Sequence, residues 1–387
     1  MYDNWFSHSL FIEGDHKSVV TKWLENYTST VNSYMDALQI EDTNVYIGGS
    51  LSRGEPSITV DEDGSPILFS DVDLLAVIRG GLSEGHPISH LESFLNQSFP
   101  RVSTSVFCVS WENFCKMRSL IGRDFLHSAS SPIARRFDGI PSIQLGHATR
   151  QDKFEVFIHQ LSIYIARETG LDGSEIHVRE SRQTHELKLA LEALRLLVDP
   201  QHPGPLRYGE VANPAHQFAL STVRSEIDPY DLIKSREVYS PKILEALDIA
   251  NIVSASLRSF ESKPGKMFSD GEVADRFCTR IRNANDFTSL FQDLTVVLFF
   301  FFKRGFIENI EVLNSVATAV ANLERFPMSM HFRSSVNFEG FSRIAHIRNS
   351  SQATTLIGDL YRTLRKNYYM SLRRHMFGHG VAYVRAE

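Results

Sequence analysis

The sequence predicts an α/β N-terminal half, a mixed twisted sheet with flanking helices, followed by an all-α C-terminal half. Three observations carry this. Val45-Tyr46-Ile47 and Leu74-Leu75-Ala76-Val77-Ile78 are short apolar runs with the β-branched character of buried strands, and residues 102–110 form a third extended run. Gly, Ser and Asp cluster at the ends of the first two runs, where strands turn. Beyond residue 150 the apolar residues fall three and four apart, as in Val156, Phe157, Leu161, Tyr164 and Ile165, which is the period of a helix. At 387 residues the chain is long for one domain, and the change of pattern divides it into 1–150 and 151–387.

In chain order, residues 15–39 place Val19, Val20, Trp23, Leu24, Tyr27, Val31, Tyr34, Met35 and Leu38 on one helical face. That helix is expected to pack on the sheet ahead of the first strand. Gly48-Gly49-Ser50 follows that strand directly. Glycines let a backbone approach a phosphate closely, and residues 50–53 open as a helix whose free N–H groups favour an anion, with Ser50 and Arg53 adding side-chain donors. Residues 57–69 carry apolar flanks around an acidic Asp61-Glu62-Asp63-Gly64 tip and are expected to form a hairpin, its tip either solvated or a lid over substrate.

Asp71 and Asp73 lead into the second strand. Side chains alternate along a strand, so the two carboxylates share a face while Val72 points the other way. Two carboxylates this close repel unless a cation lies between them, and oxygen ligands suit Mg²⁺ (or Mn²⁺), an ion commonly shared with substrate phosphates. Metal carboxylates beside a phosphate-cradling turn point to phosphoryl or nucleotidyl transfer.

The pattern GGSLSRGE…SDVDLLAV, over residues of about 40–150, resembles the nucleotidyltransferase superfamily typified by DNA polymerase beta. Aminoglycoside adenylyltransferases, minimal antitoxin-type nucleotidyltransferases, poly(A) and CCA-adding polymerases and oligoadenylate or cyclic-dinucleotide synthases belong to it. The resemblance implies an N-terminal nucleotidyltransferase domain in which Gly48, Gly49, Ser50 and Arg53 serve the NTP and Asp71 and Asp73 bind Mg²⁺. It implies NMP transfer from NTP to an acceptor with release of pyrophosphate, the helical half closing the acceptor side of the cleft. Members usually carry a third carboxylate on the following strand. Here that slot falls at Ser105, or at Ser103 if the register shifts by two.

Three consequences of the missing acid stand side by side. Glu112, Asp124, Asp138 or Glu155 supplies the base from elsewhere, the acceptor is acidic enough to need none, or the chain binds NTP without turning it over. A small-molecule acceptor is favoured, because a formal charge of −6 runs against a dedicated nucleic-acid binder. The Ser50–Gly54 spacing also resembles the oligonucleotide and cyclic-nucleotide synthases, the nearest alternative enzyme.

After the second motif, residues 86–97 read as a helix, and residues 111–114 begin another after the third strand. Residues 132–150 are expected to close the sheet, with Ser142 and Gln144 in the positions where poly(A)-type relatives carry an acid, and with Arg135 and Arg136 either solvated or on a phosphate. Helices are expected at 154–168, 185–197, 241–260, 271–282, 287–303, 310–325, 338–349 and 351–375. Lys188 or Arg207 either touches triphosphate across the cleft or is a solvent-facing base on a helix, the latter being the expectation for Arg207. The run at 294–302 is nine residues, well short of the roughly 20 a spanning helix needs, and is expected to be a core helix. The tail bases and tyrosines (Arg362, Arg365, Tyr368, Arg373) are expected to form a solvated basic face over a Tyr-Leu stripe rather than an RNA surface. Three cysteines without metal-site spacing, and a start without an apolar leader, lead to the expectation of a cytoplasmic protein with free thiols and no membrane partner.

Overall fold

Strand β4 (Val72–Ile78) is apolar on both faces for most of its length, and it occupies the middle of the sheet. The computed structural model describes residues 16–52, 54, 56, 58–60, 63–68, 71–80, 83, 85–115, 132–138, 150–168, 182–197, 249–262, 266–284, 286–303, 358–359, 361–362, 364–365 and 368. Strand β1 (Thr43–Ile47) pairs with β4 antiparallel, and β5 (Thr104–Ser110) pairs with it parallel on the other side. The result is a small mixed sheet in the order β1-β4-β5. Residues 132–138 run along the outer edge of β1 through the Val45–Ala134 bridge, where the closing strand was expected. Residues 139–149, with Ser142 and Gln144, lie outside the described residues.

The alternation of side chains divides the sheet between two apolar layers. Val45, Ile47, Leu74, Ala76 and Val106 face helix α1 (His16–Ala37) and helix α3 (Leu91–Ser98), where Val20, Leu24, Tyr27, Leu91 and Leu95 are fully buried. Tyr46, Leu75, Val77, Phe107 and Val109 face the other way and share one continuous core with the C-terminal helices. Helices cover both faces, as a sheet apolar on both sides requires.

Helix α1 matches the expected stripe except at its end. Gln39 takes a left-handed φ of 52°, and the Ile40 N–H reaches back to Met35 O at 2.9 Å, which closes the last turn and leaves Leu38 exposed. The 57–69 segment forms the expected hairpin, β2 (Ile58–Val60) against β3 (Pro66–Leu68). Leu68 is buried in the layer that holds α1, while Asp63 and Gly64 at the tip are exposed.

The outer edge of β5 is covered by α3 rather than by another strand. The Thr104 N–H donates to Asn96 Oδ1 at 2.8 Å, the Asn96 amide donates to Thr104 O at 3.1 Å, and the Val106 N–H donates to Glu92 Oε2 at 2.9 Å. Glu92 and Asn96 stand four apart, on one face of the helix. An edge whose N–H groups are satisfied this way is no template for a further strand.

Two short helices follow strands, α2 (Gly49–Ser52) after β1 and α4 (Trp111–Cys115) after β5. The second half is built from α5 (Arg150–Glu168), α6 (Arg182–Leu197), α7 (Ile249–Glu261), α8 (Asp270–Arg282) and α9 (Phe287–Lys303). A capping box of Ser269 and Glu272 starts α8.

The phenylalanine run lies in α9. Phe291, Leu294, Val297, Phe299 and Phe300 are all buried, as expected of a core helix. Its polar residues are answered by the tail: Thr295 Oγ1 and the Tyr361 hydroxyl are 2.9 Å apart, and the Gln292 amide donates to the Tyr368 hydroxyl at 3.2 Å. Tyr361, Leu364 and Tyr368 are buried, Arg362 is exposed and Arg365 half-buried, while Arg373 lies outside the described residues. The helices expected at 310–325 and 338–349 lie outside the described residues. Among the described residues no helix is long and apolar enough to cross a membrane.

Candidate functional site

Antiparallel pairing brings the end of β1 to the beginning of β4. The turn after Ile47 therefore meets the strand that starts at Val72, and Ile47 is the register partner of Leu74. The Gly48 N–H donates to Asp73 O at 2.8 Å, which ties the turn to the strand backbone and commits that donor. Gly48 is thus a structural link between turn and strand. Gly49 sits at a left-handed φ of 62°, and a Cβ placed on it would lie 2.5 Å from Asp73 Oδ2. Only a residue without a side chain lets the turn lie that close to the carboxylate. This is the physical content of the paired glycines: one fixes the strand start, the other leaves room beside its carboxylate.

Asp71 and Asp73 are both half-buried, one just before β4 and one inside it. Their alternation puts them on the face that carries Leu75 and Val77. Two carboxylates on one strand face offer oxygen ligands to a divalent cation. The negative charge of Asp73 is felt across the sheet. Burial pushes the Tyr27 phenol above its usual range, its hydrogen bond with Thr104 at 2.8 Å opposes the shift, and the Asp73 charge adds to it.

Ser50 is the second residue of α2 and is half-buried. The Ser52 hydroxyl donates to Gly49 O at 2.8 Å and braces the turn. Helix α2 is a single turn of four residues, so the anion-favouring helix expected after Ser50 is too short to add a sizeable dipole. Arg53 lies outside the described residues.

Strand β5 completes the site. Its parallel register pairs Asp73 with Ser105, so both side chains leave the same face of adjacent strands, about 4.8 Å apart at the backbone. Ser105, rather than Ser103, is therefore the β5 residue beside Asp73. Its residue exposure is 8 %.

The other acids and bases weighed from the sequence are distributed by the topology. Ser110 is five residues along β5 from Ser105, about 17 Å away, and Glu112 lies beyond it at the far end of the sheet. Asp138 is at that same far end, because the antiparallel edge segment runs past Asn44, whose side chain accepts from the Arg136 and Phe137 N–H groups at 2.7 and 3.2 Å. Arg136 is held by Asp36 at 2.7 Å and by Asn32 O at 3.1 Å, on α1 rather than over the turn. Arg135 is exposed. Glu155 is on α5, close enough to the buried Tyr368 for its charge to help raise that phenol, behind the dominant effect of burial. Lys188 is half-buried on α6, and Asp124 and Arg207 lie outside the described residues.

The residues present fit a divalent ion: two carboxylates at alternate positions entering one strand, with a buried serine one strand away. Sequence reasoning did not single out Glu92 and Asn96, which hold β5 and hence Ser105 in register. Their signal was an i, i+4 polar pair on a helix face, indistinguishable in sequence from a solvated one. No protein-family model, curated protein or solved structure matches the chain.

Proposed function

We propose that the chain is a Mg²⁺-dependent nucleotidyltransferase that moves an NMP from NTP to an acceptor and releases pyrophosphate, its first half a nucleotidyltransferase domain of the DNA polymerase beta type. The observation that supports this most directly is the seating of the Gly48-Gly49 turn on Asp73, which sets a glycine backbone beside a carboxylate pair at one end of the sheet. Asp71 and Asp73 hold the ion, Gly49 and Ser50 face the triphosphate, and an acceptor oxygen attacks the α-phosphorus as its bond to the β-bridging oxygen breaks. Mg²⁺ held there would supply charge neutralisation at the leaving oxygen. A small-molecule acceptor fits an acidic chain better than a polynucleotide does. Free thiols at Cys108, Cys115 and Cys278 fit a reducing, cytoplasmic setting.

The experiment follows α-labelled NTP with Mg²⁺, with and without candidate acceptors, for the wild type and for Asp71→Asn with Asp73→Asn. Mg²⁺-dependent NTP affinity and pyrophosphate release are expected in the wild type and lost in the double variant. Survival of both in that variant refutes the assignment. A labelled oligonucleotide or cyclic product without added acceptor identifies a synthase. The serine opposite Asp73 supports a second reading, an NTP-binding protein without turnover, which gains if calorimetry shows Mg²⁺-dependent NTP binding while no pyrophosphate forms.

A further inference from the structure

We propose that His86 is a proton-operated latch: a proton taken up on Nδ1 releases the segment that starts α3, and the change reaches the β5 backbone beside Asp73. The inference goes beyond the nucleotide reading and does not depend on it, because the latch lies at the opposite end of the sheet and is read without nucleotide.

Both ring nitrogens of His86 are engaged. Nδ1 accepts the Ile88 N–H at 3.3 Å and so caps the short 3₁₀ turn Pro87–His90, which runs directly into α3. Nε2 lies 3.3 and 3.4 Å from the two carboxylate oxygens of Asp42, just ahead of β1. A nitrogen that accepts carries no hydrogen, so the neutral ring holds its proton on Nε2 and donates it to Asp42. A further proton from solvent enters at Nδ1. It turns that acceptor into a donor facing the Ile88 N–H, while the Asp42 contact becomes a charge-assisted pair. The proton thus decides whether the ring holds the helix start as well as the loop, or the loop alone.

The groups around the ring come from every neighbouring element. Asp42 and the exposed Glu41 precede β1, and Arg79 at the end of β4 donates its N–H to Asp42 O at 2.9 Å. His90 is exposed at the end of the 3₁₀ turn. From α1 the Tyr34 hydroxyl donates to Pro87 O at 2.7 Å, and burial pushes its phenol up, so that hold persists when the ring is charged. Release at Ile88 therefore re-seats the helix start without freeing it.

Helix α3 carries the change along the sheet. Its eight residues form a rod of about 12 Å between the latch and the first residue of β5. Glu92 in its first turn accepts the Val106 N–H at 2.9 Å, and Asn96 in its last exchanges bonds of 2.8 and 3.1 Å with Thr104. These two β5 residues flank Ser105, the register partner of Asp73. Bonds of such lengths have roughly 0.3 Å before they leave the usual range, so Thr104 and Val106 sense how α3 is seated.

The test records amide and imidazole spectra of the deuterated full chain between about pH 5 and 8, the range over which histidine gains its proton. The comparison variant is His86→Asn, whose side-chain oxygen caps a helix at any of these pH values. In the wild type the Nε2–H tautomer is expected at the upper end. As the ring protonates, protection of the Ile88 amide against exchange should fall about fivefold, the worth of one net hydrogen bond. The Thr104 and Val106 amide shifts should follow the same midpoint, and all three amides should be flat in His86→Asn. An Nδ1–H tautomer, Ile88 protection indifferent to the ring, silent Thr104 and Val106 amides, or a response that persists in His86→Asn overturns the inference. The wild-type tautomer and shared midpoint decide it alone if the variant does not fold.

Discussion

Replacing Gly49 with alanine isolates the contact that makes the site. Two penalties act there. A φ of 62° places an L residue in the left-handed region, at about 1–2 kcal/mol. The new Cβ would also lie 2.5 Å from Asp73 Oδ2 and 3.5 Å from its Cγ, so the carboxylate must turn away from its present rotamer, at about 0.5–1.5 kcal/mol. The expected loss is therefore roughly 2–3 kcal/mol. Two other glycines separate the contributions. Gly64 has a φ of 76° with nothing within 4 Å of a built Cβ, and Gly80 has open space and no left-handed φ. Urea unfolding of Gly80→Ala should show almost no change, Gly64→Ala about 1 kcal/mol, and Gly49→Ala the largest loss. Adding Asp73→Ala to Gly49→Ala should recover about 1 kcal/mol relative to additivity, since the crowded group is gone. If Gly49→Ala costs no more than Gly64→Ala and shows no coupling to Asp73, the close approach of turn and carboxylate is refuted.

Two further predictions concern the buried charges of the helical half. Burial pushes the Asp293 carboxyl up from 3.8 to about 7, opposed by Arg280 and assisted by Glu261 and Asp286. The native chain then holds a proton that the unfolded chain has already lost between pH 4 and 7, so this group's contribution to stability falls as pH rises through that window and is flat above it. Asp293→Asn should be more stable than the wild type at pH 8, by up to about 4 kcal/mol, with the difference vanishing near pH 4; a gap in urea stability that does not vary with pH contradicts this. Glu261, 3 % exposed, accepts from Arg276 Nε at 2.9 Å and from Arg280 Nη2 at 2.6 and 2.8 Å. Its change to glutamine should cost about 2 kcal/mol, less than a fully buried pair because both arginines still reach solvent, and should lower the Asp293 midpoint; a loss below about 0.5 kcal/mol in urea unfolding speaks against the clamp.

Much of this fold was legible because its elements are set by local periodicity. The strands at 45–47, 74–78 and 102–110, the hairpin around Asp63-Gly64 and helices such as α1, α8 and α9 appear within a few residues of their expected places. A core helix in the phenylalanine run could be read from length alone. The end of α1 could not, since a left-handed glutamine carries no composition signal. Nor could the edge cover of β5, because Asn96 and Glu92 meet their backbone partners only once helix and strand are packed.

For the candidate site, the sequence by itself determined the cast: paired glycines after one strand, same-face aspartates entering another, and a serine where a third acid was expected. These follow from residue order and the two-residue period of a strand, which tertiary contacts do not alter. Only the folded chain decided who stands beside whom. Antiparallel pairing of β1 with β4 placed Gly49 against Asp73, and the parallel register of β5 set Ser105 next to Asp73 while carrying Glu112 to the opposite end. Register depends on how two distant segments pack against a shared core, and a one-residue slip would have turned every one of these side chains to the other face.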